Sequence, residues 1–261
     1  MGHRNLGQLP ETRNWKKVIN LLSTAGNPAK IALATSEAAK KGLEIAKKDP
    51  GVAATVYYLM KFIWASNKES FADESKNLSI KLPPNAGLLD VVVAFNEGLD
   101  QRLRKMGHRT DLAEMARQSA ADTMMDLCQS ETGSLFETTL DDTIASIKKH
   151  ATPQQFSFIG KRFFGKFMYR FLDYHLSREI PNHIGKNQRF STIAQANGFK
   201  EALQLHCLET VRIIKEFSGC WPSATDFHKG ITEHNVRTEF LPVAFMKIRK
   251  ELQRREGSYA V

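Results

Sequence analysis

The chain has 261 residues, which is enough for one large domain or two small ones with a sizeable core. Hydrophobic residues make up 42% and charged residues 25%, which excludes wholesale disorder, and no apolar run approaches the length of a membrane span. The net charge is +9, and residues 153–261 carry most of it, with 17 Lys and Arg against 10 Asp and Glu. This excess favours contact with a polyanion, without separating nucleic acid from anionic lipid or an acidic protein.

The cysteine pattern and the N-terminal sequence indicate the compartment. An odd number of cysteines at irregular spacing argues against a disulfide framework; they are Cys128, Cys207 and Cys220. The first residues lack the apolar stretch of a secretory signal. We therefore expect a cytoplasmic protein.

The first two helices are predicted from apolar spacing and from start signals. Apolar residues recur at helical spacing in the first helix, at Trp15, Val18, Ile19 and Leu22. Asn27 followed by Pro28 is typical of an N-cap and a first helical residue, so a second helix begins there. Its Ala- and Lys-rich sequence predicts that it continues to about Lys48, where Asp49 starts a turn.

A third helix and a long loop follow. Val52–Trp64 is apolar on most faces, which indicates a buried helix. The polar stretch 66–79 and the prolines after it predict a loop, which is the best candidate for a boundary. We expect an N-terminal helical unit at 1–82 and a larger basic helical unit at 83–261, or one continuous domain that includes both.

Helical signals continue to the C-terminus. Leu88–Met106 has helical periodicity, although Val91–Val93 could instead start a strand. After a glycine stop, the next helix begins at Thr110 or Asp111.

Five further helices are predicted beyond this point, and the last is a basic helix that carries Lys247, Arg249, Lys250, Arg254 and Arg255. Thr139 opens a short helix and Pro153 opens a helix rich in aromatic residues. Asn197–Phe217 is cleanly amphipathic, and a helix that starts at Thr232 is broken or kinked by Pro242. The chain is therefore predicted to be all-α, an irregular multi-helix bundle of about nine to ten helices.

The segment Phe156–Tyr174 is the richest in both aromatic and basic residues. On a helix its apolar residues form one stripe: Phe156, Ile159, Phe163, Phe167, Phe171 and Tyr174. A second stripe, four residues apart, is cationic: Arg162, Lys166 and Arg170. Such a helix can pack on a core while it offers charge to phosphates or to an acidic partner, and it equally suits an ordinary surface helix of a basic protein.

Basic residues of the C-terminal part are the candidate binding residues. If this part binds nucleic acid, phosphates would be neutralised by Lys161, Arg162, Lys166, Arg170, Lys247, Arg249, Lys250, Arg254 and Arg255. Trp221 lies in a predicted loop, where it would anchor a protein interface or fold back as a core residue.

Two alternatives from other classes remain open. A metal-dependent nuclease would need converging carboxylates, and Asp122 and Asp126 share a helix face while Asp141 and Asp142 begin another helix. Helix capping and solvation explain the same acids. A peripheral membrane protein would use the Phe156–Tyr174 helix as an amphipathic anchor.

Metal and cofactor motifs are weak in this sequence. Histidines and cysteines of the C-terminal third lie within 29 positions, at His206, Cys207, Cys220, His228 and His234. Structural zinc sites need their first ligands two to four residues apart, and this spacing is missing. We therefore predict no metal and no cofactor.

Two short segments carry a resemblance to a known class of proteins. Leu9–Trp15 and Ile213–Trp221 resemble uncharacterised helical proteins encoded in multi-gene bacterial anti-phage defence clusters. The resemblance implies a subunit that works beside protein partners, and it transfers no catalytic residue. The sequence thus predicts a non-catalytic helical subunit of a multi-protein complex, in which the basic C-terminal half contacts DNA or RNA.

Overall fold

The computed structural model describes residues 9–66, 71–83, 85–107, 109–132, 139–214 and 232–258. Throughout these ranges the chain is all-α, which confirms the predicted fold class, and the β-structure is limited to one isolated bridge between Ile184 and Phe190. In chain order the helices are α1 (Arg13–Ser23), α2 (Pro28–Ala38), α3 (Lys40–Ala46), α4 (Pro50–Ala65), α5 (Phe71–Asn77), α6 (Leu88–Lys105), α7 (Asp111–Thr132), α8 (Leu140–Lys149), α9 (Pro153–Leu176), α10 (Ile193–Thr210) and α11 (Leu241–Ser258).

Polar side chains cap the helix starts. In six of these helices the capping side chain accepts a hydrogen bond from the backbone N–H three residues later, at Asn27, Asp49, Thr110, Thr139, Thr152 and Thr192. Proline takes the first helical position of α2, α4 and α9, where its missing N–H costs no hydrogen bond. The starts predicted at Asn27, Thr139 and Pro153 are observed. The turn predicted at Asp49 is the N-cap of α4.

The second helix is shorter than predicted. It ends at Ala38, and the separate helix α3 runs from Lys40 to Ala46. The new direction brings Gly42 onto the ring of Phe171 in α9, where a Cβ would lie 3.1 Å from two ring carbons. A contact so distant along the chain leaves no local signal.

The structure also differs from two other local predictions. The polar stretch 66–79 contains the short helix α5, whose Phe71 packs edge-on against Phe62 with ring centroids 5.7 Å apart. The break expected at Pro242 appears as a π-helical turn at Val236–Phe240, directly before α11. Proline has no N–H to donate, so the backbone widens in the turn that precedes it.

A single hydrophobic core runs through the described residues. Buried apolar side chains from Leu9 to Leu252 form one cluster, so helices on both sides of residue 83 contribute to it. Whether 1–82 and 83–261 fold as separate units stays a prediction. Near the middle, α7 packs against α4, α6, α8 and α9.

Helix α9 is covered on most of its circumference. It packs against α2, α7 and α10, and Phe163, Phe164 and Phe167 are almost fully buried. The rings of Phe164 and Phe167 meet the edge of Phe245 in α11 at centroid distances of 5.8 and 5.7 Å. The aromatic stripe from Phe156 to Phe171 is therefore part of the core, which both interpretations of this helix allow, and Tyr174 at its end is half-buried.

Arg189 ties the chain after α9 to the end of α1. Its Nη1 donates to the carbonyl oxygens of Leu21 and Leu22 at 3.1 and 3.2 Å, and its Nη2 donates to the carbonyl of Gly26 at 2.7 Å. The guanidinium also lies 4.8 Å from the ring centroid of Phe199 in α10. Its positive charge complements the negative end of the α1 dipole.

His175, near the end of α9, packs in an aromatic cluster. Its ring centroid is 5.0 Å from that of Trp15 in α1 and 5.4 Å from that of Phe171. Burial, together with the positive charge of Arg178, lowers the pKa of His175 from 6.5 to about 4. The folded protein therefore holds this imidazole neutral.

The depressed pKa of His175 predicts a loss of stability on mild acidification. Between pH 6.5 and about 4, the unfolded chain binds a proton at His175 more readily than the folded protein does. The stability that comes from the neutral imidazole is therefore fully present above pH 6.5 and is lost as the pH falls. The slope from one such group is at most about 1.4 kcal/mol per pH unit, and partial exposure reduces it. The free energy of unfolding, measured in urea at several pH values, should fall less steeply with decreasing pH in His175→Phe than in the wild type. Equal slopes would contradict this environment.

Candidate functional site

The cationic stripe of α9 faces the carboxylates of α7. Arg170 Nη2 lies 2.6 Å from Asp122 Oδ2, and Lys166 Nζ lies 3.0 Å from Asp126 Oδ2. The same Asp126 oxygen is 3.5 Å from Arg162 Nη1. Ascending positions on α9 meet descending positions on α7, so the two helices run antiparallel. The predicted phosphate-binding cations and two of the predicted nuclease carboxylates are thus partners of each other.

This pairing defines what Asp122 and Asp126 do in the fold. Each carboxylate balances α9 cations. The other predicted pair, Asp141 and Asp142, lies in the exposed first turn of α8. There Asp142 Oδ2 accepts a hydrogen bond from Thr139, which lowers the pKa of Asp142. Among the described residues, no group of three or more His, Cys, Asp or Glu side chains could hold a metal ion.

A groove beside the contact between α7 and α9 has a net positive charge. It has a volume of about 360 Å³, and we call it the α9–α10 groove; it is lined by Asp126, Phe158, Lys161, Arg162, Gly165, Lys166, Gln204 and Leu208. Three cations and one carboxylate give it a net charge of +2. Lys161 makes no ion pair with any residue that the structure describes.

Gly165 lets α9 and α10 meet at this groove. A Cβ on Gly165 would lie 3.0 Å from Leu208 Cδ1 and 3.2 Å from Leu208 Cα. Such contacts are tighter than ordinary packing allows, so a larger residue would push the helices apart. The glycine directly before Lys166 is therefore explained by helix packing.

Phe158 and Asp126 hold Arg162 from two sides. The guanidinium carbon lies 4.6 Å from the ring centroid of Phe158, which stacks with His150 at a centroid distance of 6.4 Å. Because Arg162 and His150 both lie against the ring of Phe158, this ring is not open for stacking with a nucleic-acid base. The groove presents cations and an amide, which suits phosphate oxygens.

The basic residues of α11 belong to a different groove. Arg249 and Lys250 face α3 across a groove of about 570 Å³, which we call the α3–α11 groove; it is lined by Leu43, Glu44, Lys47, Pro242, Val243, Phe245, Met246, Arg249, Lys250 and Gln253. Lys247 lines neither groove. The structure therefore separates the predicted residues into two clusters, one beside α7 and α10 and one beside α3.

The remaining predicted residues complete this picture. Arg254 forms a two-point ion pair with Glu251, with both nitrogen–oxygen distances at 2.7 Å, so its charge is largely balanced. The side chain of Arg255 and the whole of Trp221 lie outside the described residues. Sequence reasoning missed Gln204 and Lys47, which carry no motif. The four-residue spacing of Asp122 and Asp126, which matches that of the α9 cations, was the signal that could have revealed their pairing.

The described cysteines are buried and poorly reactive. Burial raises the pKa of both Cys128 and Cys207 to about 12, so the thiolate form is scarce near neutral pH. Cys220 lies outside the described residues.

The apolar stripe of α9 is unavailable to a lipid surface, since its phenylalanines are core residues. Within the described part of the chain, no helix combines the length and apolar character needed to cross a bilayer.

In comparisons with known proteins, no family model, curated protein or solved structure matches the chain. The resemblance to defence-system subunits stays a prediction.

Proposed function

We propose that the protein is a non-catalytic, cytoplasmic helical subunit of a multi-protein complex, of the kind found in anti-phage defence, and that it contacts nucleic acid phosphates. The observation that supports the proposal is the α9–α10 groove, where Lys161, Arg162 and Lys166 outnumber the single carboxylate of Asp126. Phosphate neutralisation is the role of these cations, and they do not read bases.

The ion pairs of the groove leave donors for a ligand. A lysine ammonium has three N–H donors and an arginine guanidinium has five, so Lys166 and Arg162 can bind Asp126 and a phosphate together. Asp126 also fixes both side chains in place, which reduces the entropy that a ligand has to remove. Lys161 adds a charge that no described carboxylate balances.

A net charge of +2 supports weak, sequence-independent binding. Three phosphate contacts correspond to a salt slope of about −2 to −3 in a plot of log affinity against log salt concentration. Binding of this strength suits a subunit whose partners supply the rest of the affinity through linkage in one complex. This is why we propose assembly and phosphate contact together.

Charge reversal at Lys161 tests the proposal without disturbing the fold. Reversing Arg162, Lys166 and Arg170 would place new carboxylates against Asp122 and Asp126, so that loss of binding could reflect unfolding. Lys161→Glu avoids this problem. We expect it to weaken binding of labelled DNA and RNA several-fold and to reduce the salt slope by about 1, measured by fluorescence anisotropy.

Lys81→Glu is the matched control, since Lys81 is exposed, makes no described ion pair and lines neither groove. It changes the net charge equally and should leave most of the affinity. Equal losses in the two variants would show that only the overall charge matters, and no binding by the wild type at low salt would contradict the nucleic-acid contact.

Asp126→Asn separates the proposal from the metal-dependent nuclease. Removing this carboxylate raises the charge of the groove, so we expect DNA affinity to rise by roughly two- to five-fold. A nuclease that uses Asp126 as a metal ligand would lose activity instead. The measurement pairs DNA anisotropy with a plasmid degradation assay in Mg²⁺. Mg²⁺-dependent degradation by the wild type that disappears in Asp126→Asn would establish the nuclease.

A further inference from the structure

The α3–α11 groove is elongated. Four residues of α11 at spacings of four, three and four line one wall: Pro242, Met246, Arg249 and Gln253. At a rise of about 1.5 Å per residue this wall is about 16 Å long, which equals roughly three helical turns. Leu43 of α3 and Lys47, directly after this helix, lie on the opposite side.

The floor of this groove is apolar. Phe245 and Leu43 are nearly buried at its base. Met246 is 48% exposed, although its side chain is apolar. An exposed methionine beside apolar floor residues is typical of a surface that packs against another protein, because the thioether adapts its shape to the partner.

The rim of the groove is basic. Lys47 pairs with Glu44, while Arg249 and Lys250 line the α11 side. The hydrogen bond from Lys47, with the positive charges of Lys47, Arg249 and Lys40, lowers the pKa of Glu44. The three cations that line the groove, Lys47, Arg249 and Lys250, outnumber the single carboxylate of Glu44 and leave a net charge of +2.

We infer that the α3–α11 groove docks an acidic, amphipathic helix of a partner protein. The apolar side of that helix would cover Met246 and the floor, and its carboxylates would meet Lys47, Arg249 and Lys250. A phosphate backbone satisfies the rim equally well but leaves the apolar floor in contact with a charged chain. A peptide that adds as a β-strand would need a strand edge, and the described residues provide none beside this groove.

The inference rests on the assembly with protein partners in the proposed function and is independent of the nucleic-acid contact. It names the chemistry of one partner segment and the surface that receives it. The two grooves share no lining residue, so each can be tested with its own variants.

The probe is a labelled synthetic peptide of about 16 residues, with Leu at helical positions i, i+3, i+4 and i+7 and Glu at most others. Fluorescence anisotropy with the full chain should show saturable binding that weakens as salt is added. A peptide with Lys in place of Glu should bind at least about tenfold more weakly, because it meets a rim of like charge. A scrambled peptide of equal composition should also bind more weakly.

Two variants locate the binding. Met246→Glu and Lys250→Glu, both at exposed positions, should each weaken binding of the acidic peptide about tenfold. Val93→Glu, at a 54% exposed apolar position of α6, is the matched control and should bind as the wild type does. Circular dichroism confirms that each variant is folded.

Several results would overturn the inference: no saturable binding of the acidic peptide, equal binding of the scrambled peptide, or no effect of Met246→Glu and Lys250→Glu. A dimer that Met246→Glu converts to a monomer in sedimentation would assign the groove to self-association instead. If the acidic peptide binds but DNA does not, the docking surface stands and the nucleic-acid contact of the proposed function fails.

Discussion

The antiparallel pairing of α7 with α9 is the contact on which both the core and the candidate site depend. On the buried side of α9, Phe163 and Phe167 fill the centre of the molecule. On the side towards α7, Arg170 and Lys166 bind Asp122 and Asp126 at 2.6 and 3.0 Å. The same helix therefore supplies apolar packing and charge, and α7 balances part of that charge. The net positive charge of this surface is set by the ion pairs between the two helices and not by the number of basic residues in the sequence.

The consequence is that the positive charge is divided between two surfaces of different chemistry. The α9–α10 groove brings Lys161, Arg162 and Lys166 together beside a single carboxylate, which suits phosphate oxygens. The α3–α11 groove is longer, with an apolar floor and a basic rim, which suits a helix that carries both apolar and acidic residues. Met246 in the α3–α11 groove and Lys161, which no carboxylate of the described residues balances, distinguish the two surfaces most clearly.

Local signals predicted much of the fold from sequence. The stripe of phenylalanines on α9 follows the helical period, and caps such as Asn27 and Thr139 satisfy backbone N–H groups within their own turn. The end of α2 at Ala38 was missed, because the Ala- and Lys-rich sequence continues beyond it, and the contact of Gly42 with Phe171 joins residues far apart along the chain. The division of the basic residues could not be predicted either, because the helices that face α9 and α11 are fixed only by tertiary packing. Lys47 lines the α3–α11 groove only because tertiary packing places α11 beside it.

A double-mutant cycle at Arg170 and Asp122 tests most directly whether α7 engages the cations of α9. Urea unfolding of the wild type, Arg170→Ala, Asp122→Ala and the double variant gives the coupling energy of the pair. We expect a favourable coupling of about 0.5–1 kcal/mol that decreases as salt is added, since the pair is partly exposed. A coupling of zero at low salt would mean that Asp122 does not balance the charge of Arg170, which would contradict the pairing of α7 with α9 at this position.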